Sequence, residues 1–241
     1  ANISKGRVGL NIVTGWNKKE YSSMDLWPGQ EHYQNRYEFA SEYVSILKEL
    51  WETGACDRKS KYWNLEECSC LPTPKYDIPI ISAGQSPAGI DFCSKYADQR
   101  FMFGHPPVLK NLEETKNENL NYGSFIYLHI ITANTDNEAK NIGEDIIKKA
   151  DKEAIETMIS SSMLDSNKEG TSAAMQAALS QSLEEGNMAF TSAPVIYGTP
   201  KTVASKLNAI ADKTDCDGFM FSWNDYASGI KIFGEEIRPH L

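Results

Sequence analysis

Five short apolar segments, each followed by a helical or loop segment, constrain the fold of this chain more than any other feature. The segments are Gly6–Trp16, Ile78–Ala83, Arg100–Phe103, Phe125–Ile131 and Gly218–Phe221. Near-continuous apolar runs are typical of strands that are buried on both faces of a parallel sheet. Right-handed crossovers through the intervening helices make such strands parallel. The sequence therefore predicts an α/β fold.

Two architectures satisfy this pattern. A TIM (β/α)8 barrel needs eight such units in about 250 residues, whereas a doubly wound sheet can be built from five. The chain has 241 residues, and its five units include a polar segment, 105–123, with at most two helical turns. We favour a single domain over residues 1–241 that is an incomplete barrel, with about three units lying upstream of Ala1. A five-stranded doubly wound sheet is the alternative.

Helices are predicted in the segments between these strands. Apolar residues spaced three and four apart predict a helix over Gln34–Thr53, which Gly54 would end. The pair Ser86-Pro87 is a start signal for a helix that reaches Tyr96. Residues 56–72 look like an excursion with a short hairpin around Tyr62–Leu65. Further helices are predicted at Val108–Asn117, Asp136–Ser162, Thr171–Glu185 and Pro200–Lys213.

Composition excludes several classes of function. The net charge of −9 argues against nucleic acid or an anionic membrane surface as the main partner. No apolar run approaches the roughly 18 residues that a membrane span needs. Five cysteines without a C-x-x-C pair indicate reduced thiols in a cytoplasmic protein. Cys68 and Cys70 lack nearby histidines, so no metal site is expected, and the four histidines form no recognisable hydrolytic triad.

Polar residues near the ends of the predicted strands are the candidate site. Ser86 opens a helix after a strand, so this turn either binds a phosphate at the helix N-terminus or is a plain N-cap. Asn11 interrupts an apolar strand, and a buried amide must pair inside the fold or with a ligand. Glu20 is by default a solvated carboxylate. Arg36 could bind a phosphate or carboxylate through its fork of donors, and Tyr37 could simply pack on the core.

Together these segments resemble the flavin-dependent luciferase-like monooxygenases, and among them the branch that opens the uracil ring. The most specific matches are Thr14-Gly15-Trp16 and Trp27-Pro28-Gly29. Glu20-Tyr21, Arg36-Tyr37, Ala83-Gly84-Gln85-Ser86, Tyr96-Ala97-Asp98, Gly198-Thr199-Pro200, Ser228-Gly229-Ile230 and Phe233-Gly234-Glu235 also match. The similarity spans nearly the whole chain.

The resemblance implies a luciferase-like TIM barrel of which this chain holds strands four to eight. It implies reduced FMN, supplied by a separate flavin reductase, with O2 as co-substrate and a pyrimidine such as uracil or thymine as substrate. A homo-oligomer is compatible with it. The implied flavin contacts are Asn11, Glu20, Arg36, Tyr37 and Ser86. No general acid or base is assigned, because the flavin carries the oxygen chemistry. There are two alternatives. One is a related flavin monooxygenase that acts on a sulfonate, amine or sulfide, and the other is a truncated, non-catalytic flavoprotein.

Overall fold

The computed structural model describes residues 1–15, 17–84, 86–116, 118, 120–163 and 186–241. The predicted helix Thr171–Glu185 lies outside these residues, as do Trp16, Gln85 and Asn117. The described residues form two units, one of residues 1–100 and one of residues 101–163 and 186–241. None of the described helices is long and apolar enough to cross a membrane.

The first unit is a parallel sheet with a helical layer and a separate hairpin. Its elements are β1 (Leu10–Ile12), α1 (Lys18–Ser23), α2 (Gln30–Gln34), α3 (Arg36–Thr53), β2 (Ala55–Lys59), β3 (Asn64–Ser69), β4 (Ile80–Ser82), α4 (Pro87–Tyr96) and the start of β5 (Gln99–Phe103). Strand β4 pairs in parallel with β1 on one side and with β5 on the other. The predicted α/β class with parallel strands is thus confirmed.

Strand β1 is shorter and less buried than the sequence suggested. Only Ile12 is buried, and Val8 and Val13 are 44% and 64% exposed. Successive side chains of a strand point to opposite faces, so Asn11 points away from the face on which Ile12 packs, and it is exposed. The expectation of a buried amide at Asn11 was therefore wrong.

Helix α3 packs on the β2–β3 hairpin. Gly54 ends the helix in the left-handed conformation (φ 81°), and its N–H donates to the Leu50 carbonyl, as predicted. The hairpin then returns along the helix, where Ile46, Leu50 and Cys56 form a buried cluster. The predicted excursion is therefore a two-stranded antiparallel sheet that covers one face of α3.

The second unit is built around one long strand. Its elements are the end of β5, α5 (Pro106–Thr115), β6 (Gly123–Thr132), α6 (Asp136–Lys149), α7 (Lys152–Met163), β7 (Val195–Gly198), α8 (Pro200–Thr214), β8 (Gly218–Ser222) and α9 (Tyr226–Ile232), followed by a π-helical turn (Phe233–Ile237). The single predicted helix Asp136–Ser162 is two helices, because Ala150 is extended (φ −60°, ψ 142°). Strand β7 was not predicted.

Strand β6 has neighbours on both edges. Its Tyr127 carbonyl accepts from the Gly104 N–H, and its His129 N–H donates to the Pro194 carbonyl. Backbone groups of alternate residues point to the same edge, so β5 and β7 share one edge of β6. The Ser124 carbonyl accepts from the Asp217 N–H, which places β8 on the other edge.

The two faces of β6 differ in chemistry. Ile126, Leu128 and Ile130 are at most 2% exposed and form a core with helix α8 through Val203 and Leu207. The alternating residues of β6 lie on the opposite face, which carries hydrogen-bonding side chains. One face of β6 thus packs in an apolar core, and the other face is polar.

An aspartate fixes the strand register in each unit. The Asp98 carboxylate accepts from the Ile80 N–H at 2.7 Å, and its own N–H donates to the Ile80 carbonyl. Asp217 makes the same pair of bonds with Ser124, again at 2.7 Å from the carboxylate. Each aspartate directly precedes a strand, β5 or β8, and so holds that strand to the start of its neighbour.

Candidate functional site

All five predicted flavin contacts lie in the first unit. Asn11 is on β1, Glu20 on α1, Arg36 and Tyr37 in the first turn of α3, and Ser86 at the start of α4. Strands β1 and β4 are parallel neighbours. The loops that leave their carboxyl ends therefore start from one edge of the sheet, where α/β proteins place ligands.

Ser86 is a buried N-cap, only 4% exposed. Its Oγ accepts from the Gly89 N–H at 3.2 Å. A hydroxyl oxygen that accepts a hydrogen bond keeps its own proton for donation. The N-terminus of α4 also carries a partial positive charge. This terminus can therefore donate to an anion.

Two glycines bring the turn before α4 close to the helix. A Cβ on Gly84 would lie 2.6 Å from the Cα of Gly89, and a Cβ on Gly89 would lie 2.6 Å from the Tyr37 hydroxyl. Distances this short exclude any side chain larger than hydrogen at either position. The Tyr37 hydroxyl thus lies beside the first turn of the helix that Ser86 caps.

Arg36 is a buried cation in contact with two aromatic rings. It is 4% exposed, its guanidinium carbon lies 4.3 Å from the Tyr33 ring centroid and 5.3 Å from that of Tyr37, and Nη1 donates to the Tyr33 carbonyl at 3.0 Å. Burial lowers the pKa of Arg36, although an arginine keeps its charge at neutral pH. A bound anion would offset the cost of burying this charge.

Aromatic contacts continue from Arg36 towards α1. The Tyr33 ring centroid lies 5.6 Å from that of Trp27, which lies 6.0 Å from that of Tyr21. Tyr21 follows Glu20 directly, so this series joins the segment that carries Glu20 to the start of α3. Arg36 and Tyr37 thus contact this series, and Glu20 is joined to it as the sequence neighbour of Tyr21.

Asn11 and Glu20 themselves are exposed. Glu20 Oε1 accepts from the Asn17 side chain at 2.9 Å, and the Asn17 side chain in turn accepts from the Lys19 N–H. This is a capping arrangement at the start of α1. The solvated carboxylate expected for Glu20 agrees with the structure.

A second polar cluster lies in the other unit, and the sequence did not reveal it. His129 Nδ1 lies 2.8 Å from Ser222 Oγ, and Nε2 lies 2.9 Å from Asn224 Oδ1. The Tyr127 hydroxyl donates to Ser222 Oγ at 2.9 Å. The alternation of β6 could have placed Tyr127 and His129 on one face, but nothing in the sequence pairs them with β8.

The hydrogen bonds of this cluster define the protonation of His129. Asn224 Oδ1 can only accept, so Nε2 carries the proton and Nδ1 accepts from Ser222. Burial lowers the pKa of His129, and the Asn224 contact offsets this in part. The ring also packs on Phe190 with centroids 4.7 Å apart. The cluster therefore holds a neutral imidazole in one tautomer.

Among the described residues, no three His, Cys, Asp or Glu side chains are grouped as a cation site. The first unit offers a helix N-terminus, a buried hydroxyl and a buried guanidinium beside a series of aromatic rings. Donors and a cation suit a phosphate, and flat aromatic rings suit a flat heterocycle. These features fit a phosphate-bearing aromatic cofactor such as FMN.

Comparison with known protein families agrees with this geometry. The model of the luciferase-like monooxygenase family matches residues 1–215. The chain belongs to this family. The family and enzyme class predicted from the sequence motifs are therefore confirmed.

Individual relatives refine this assignment. The chain is 36% identical over 247 aligned residues to the pyrimidine monooxygenase RutA of Pseudomonas savastanoi pv. phaseolicola, a match that covers 99% of this chain and 67% of the relative. A riboflavin lyase crystallised with modified FMN and riboflavin matches with a TM-score of 0.78 at 20% identity, over 98% of this chain and 64% of that one. The EDTA monooxygenase of Chelativorans sp. BNC1 matches with a TM-score of 0.76 at 19% identity, covering 99% and 66%. The chain thus spans about two thirds of the length of these relatives.

Proposed function

We propose that this chain belongs to an FMN-dependent monooxygenase that uses O2 to open the ring of a pyrimidine such as uracil or thymine. The proposal of a pyrimidine substrate rests on the 36% identity to a pyrimidine monooxygenase over 99% of the chain. The fit of the first unit to a phosphate-bearing flavin supports the cofactor. FMN when reduced supplies the oxygen-activating chemistry, and a separate flavin reductase would deliver it.

The proposed flavin contacts divide by chemistry. Ser86 and the N-terminus of α4 donate to the phosphate, and Arg36 supplies a positive charge that its ring contacts hold in place. Tyr37 shapes the approach to this terminus through its contact with Gly89. Asn11 and Glu20 are exposed, so each offers a polar side chain to a ligand without first breaking a buried contact. We assign the chain's own residues binding and orientation only.

The proposal also extends to the type of α/β fold. We propose that the parallel strands belong to a luciferase-like (β/α)8 barrel, in which β1 takes the fourth position and residues 1–241 form part of one domain. All five cysteines lie in the described residues and none forms a disulfide. Free thiols support a reducing, cytoplasmic setting.

Flavin titration tests the cofactor. Wild-type chain should quench FMN fluorescence, and Arg36→Gln should weaken FMN binding by about tenfold, a free-energy change of roughly 1.4 kcal/mol. Arg7→Gln is the matched control, since Arg7 is an exposed arginine of the same unit and its loss should leave the affinity unchanged. Equal affinities for both variants would contradict the role of Arg36.

A turnover experiment tests the substrate. The protein expressed from the complete gene, supplied with reduced FMN and isotopically labelled dioxygen, should consume uracil and give a ring-opened product that carries one labelled oxygen. A parallel panel of a sulfonate, an amine and a sulfide separates the related activities. Turnover of one of these compounds and not of uracil would contradict the proposal that the substrate is a pyrimidine. An absence of FMN binding in the titration would favour a non-catalytic protein.

A further inference from the structure

The β2–β3 hairpin places two cysteines directly opposite each other. Cys56 on β2 and Cys68 on β3 are register partners in this antiparallel pair. Cys56 is buried with Ile46 and Leu50, and Cys68 packs against the same cluster. The two thiols therefore share the face of the hairpin that lies on α3.

The Cα spacing of such a pair lies within the range that a disulfide can bridge. The Cys70 N–H donates to the Gly54 carbonyl at 3.0 Å, two residues along each strand from Cys56 and Cys68. Bonded positions of an antiparallel ladder alternate, so Cys56 and Cys68 also occupy a hydrogen-bonded position, with Cα atoms about 5.5 Å apart. Disulfides bridge Cα atoms about 4.4–6.8 Å apart. Closure also requires the two Cβ atoms, which lie about 4.5–5.5 Å apart across an antiparallel ladder, to approach to about 3.5–4.5 Å.

A β-bulge lies next to the pair. The register shifts by one residue between Cys56 and Arg58, so Asp57 faces both Glu66 and Glu67. Glu67 has a positive φ of 51°, and its N–H donates to the Asp57 carboxylate. Bulges increase the local twist and change the direction of neighbouring side chains. This local bend and twist of β3 lies directly next to Cys68.

The two thiols differ in access. Cys56 is 2% exposed, whereas Cys68 is half-buried. Burial and the neighbouring Glu49 carboxylate raise the pKa of Cys56, which keeps this thiol protonated and slow to react. A small oxidant in solution therefore reaches Cys68 first, and Cys56 is placed to react second.

We propose that Cys56 and Cys68 form a reversible oxidation site for a hydroperoxide such as hydrogen peroxide. The Cys68 thiolate attacks the peroxide, becomes a sulfenic acid and releases water. The Cys56 sulfur then attacks the Cys68 sulfur, forms the S–S bond and releases a second water. Two thiols lose two electrons and two protons in total, and the peroxide is reduced to two waters.

The bond would fasten the hairpin that holds α3. Four polar contacts between described residues already join them: Arg58 pairs with Glu49, Ser60 donates to Glu42, and Lys61 and the Tyr62 hydroxyl both contact Glu38. A covalent bond between Cys56 and Cys68 would in addition join β2 to β3, the two strands of the hairpin that packs on α3. The inference goes beyond the proposed function and does not depend on it.

Peptide mapping tests the site on the wild-type chain. The chain is treated with one equivalent of hydrogen peroxide, alkylated, digested and analysed by mass spectrometry. Two of the five free thiols should be lost, the peptides holding Cys56 and Cys68 should be linked, and dithiothreitol should restore both. A link that contains Cys70, or irreversible oxidation of Cys68 while Cys56 is still alkylated, would overturn the proposal.

Variants of Cys68 and Cys56 distinguish the thiol that reacts with peroxide from the thiol that then forms the disulfide. Cys56→Ser should leave Cys68 as a sulfenic acid that dimedone traps, whereas Cys68→Ser should leave Cys56 unreacted. Cys70→Ser is the control, because Cys70 is exposed and close in sequence, and its loss should not change the disulfide. If a buried substitution at Cys56 prevents folding, the wild-type peptide map decides the question by itself.

Discussion

The Tyr37 hydroxyl occupies the space that a side chain at residue 89 would need, since a Cβ on Gly89 would lie 2.6 Å from it. The same Cβ would lie 2.7 Å from the Cα of Gly84, which is backbone and cannot rotate away. Helix α3, the turn before α4 and the first turn of α4 are therefore fitted to one another at a position that only glycine allows. This contact joins two of the proposed flavin contacts, Tyr37 and Ser86.

Gly89→Ala tests this fit. We expect overpacking to cost about 1–3 kcal/mol of stability, and displacement of Tyr37 to weaken FMN binding by about tenfold. Thermal unfolding and flavin titration measure the two effects. Gly234→Ala is the control, because a Cβ at Gly234 would meet nothing within 4 Å. An FMN affinity that is unchanged in Gly89→Ala would contradict a role of Tyr37 in binding the cofactor.

Ser86→Ala separates helix capping from ligand binding. Loss of the cap should cost about 1 kcal/mol in the free energy of unfolding, and loss of the hydroxyl donor should weaken FMN binding. Thr199 caps α8 in the same way, with Oγ1 accepting from the Thr202 N–H at 3.2 Å. Thr199→Ala should therefore show a similar loss of stability with the FMN affinity of the wild type. Parallel losses of affinity in both variants would mean that capping alone explains Ser86.

The buried His129 predicts a pH dependence of stability. Its folded pKa lies below the unfolded value of 6.5, so the unfolded chain takes up the proton first as the pH falls. The contribution of His129 to stability is complete above pH 6.5 and is lost as the pH falls from there towards the folded pKa. Each unit between the two pKa values corresponds to about 1.4 kcal/mol.

His129→Gln should flatten this dependence. Chemical denaturation of the wild type and the variant at several pH values below 7 measures the difference. The wild type should lose stability more steeply than His129→Gln over that range. Identical slopes would show that burial does not hold His129 neutral in the folded chain.

Asp217 offers a test of strand register. Asp217→Ala removes the carboxylate that accepts from the Ser124 N–H at 2.7 Å, and we expect a loss of about 1 kcal/mol in the free energy of unfolding. Asp212→Ala, an exposed position on α8, should be close to neutral. Urea unfolding of both variants compares them. Equal stabilities would indicate that the backbone pairing of β6 with β8 suffices.

Much of this fold could be predicted from local chemistry. Helix α4 begins and ends where Ser86-Pro87 and Tyr96 predict, and Gly54 ends α3, because caps and turns depend on a few adjacent residues. The α/β class followed from the apolar runs. Strand β7 (Val195–Gly198) was missed although its apolar run is as long as that of the predicted strand Gly218–Phe221.

The candidate site was less predictable because contacts across the fold decide it. Exposure of Asn11 depends on which face of β1 packs, which a three-residue strand does not reveal. Family motifs implied Arg36 as a flavin contact, but its contacts with the rings of Tyr33 and Tyr37 depend on packing. His129 meets Ser222 through the β6–β8 register, and a separation of 93 residues in sequence leaves no local signal.

The position of β6, with β5 and β7 along one edge and β8 along the other, has a consequence for local opening. Amides of a strand with hydrogen bonds on both edges exchange with solvent only when a large part of the structure opens. In hydrogen–deuterium exchange, the amides of Ile126, Leu128 and Ile130 should therefore exchange among the slowest in the second unit. The polar cluster of His129 is carried on this strand, so its geometry should persist through the fluctuations that open the surrounding loops.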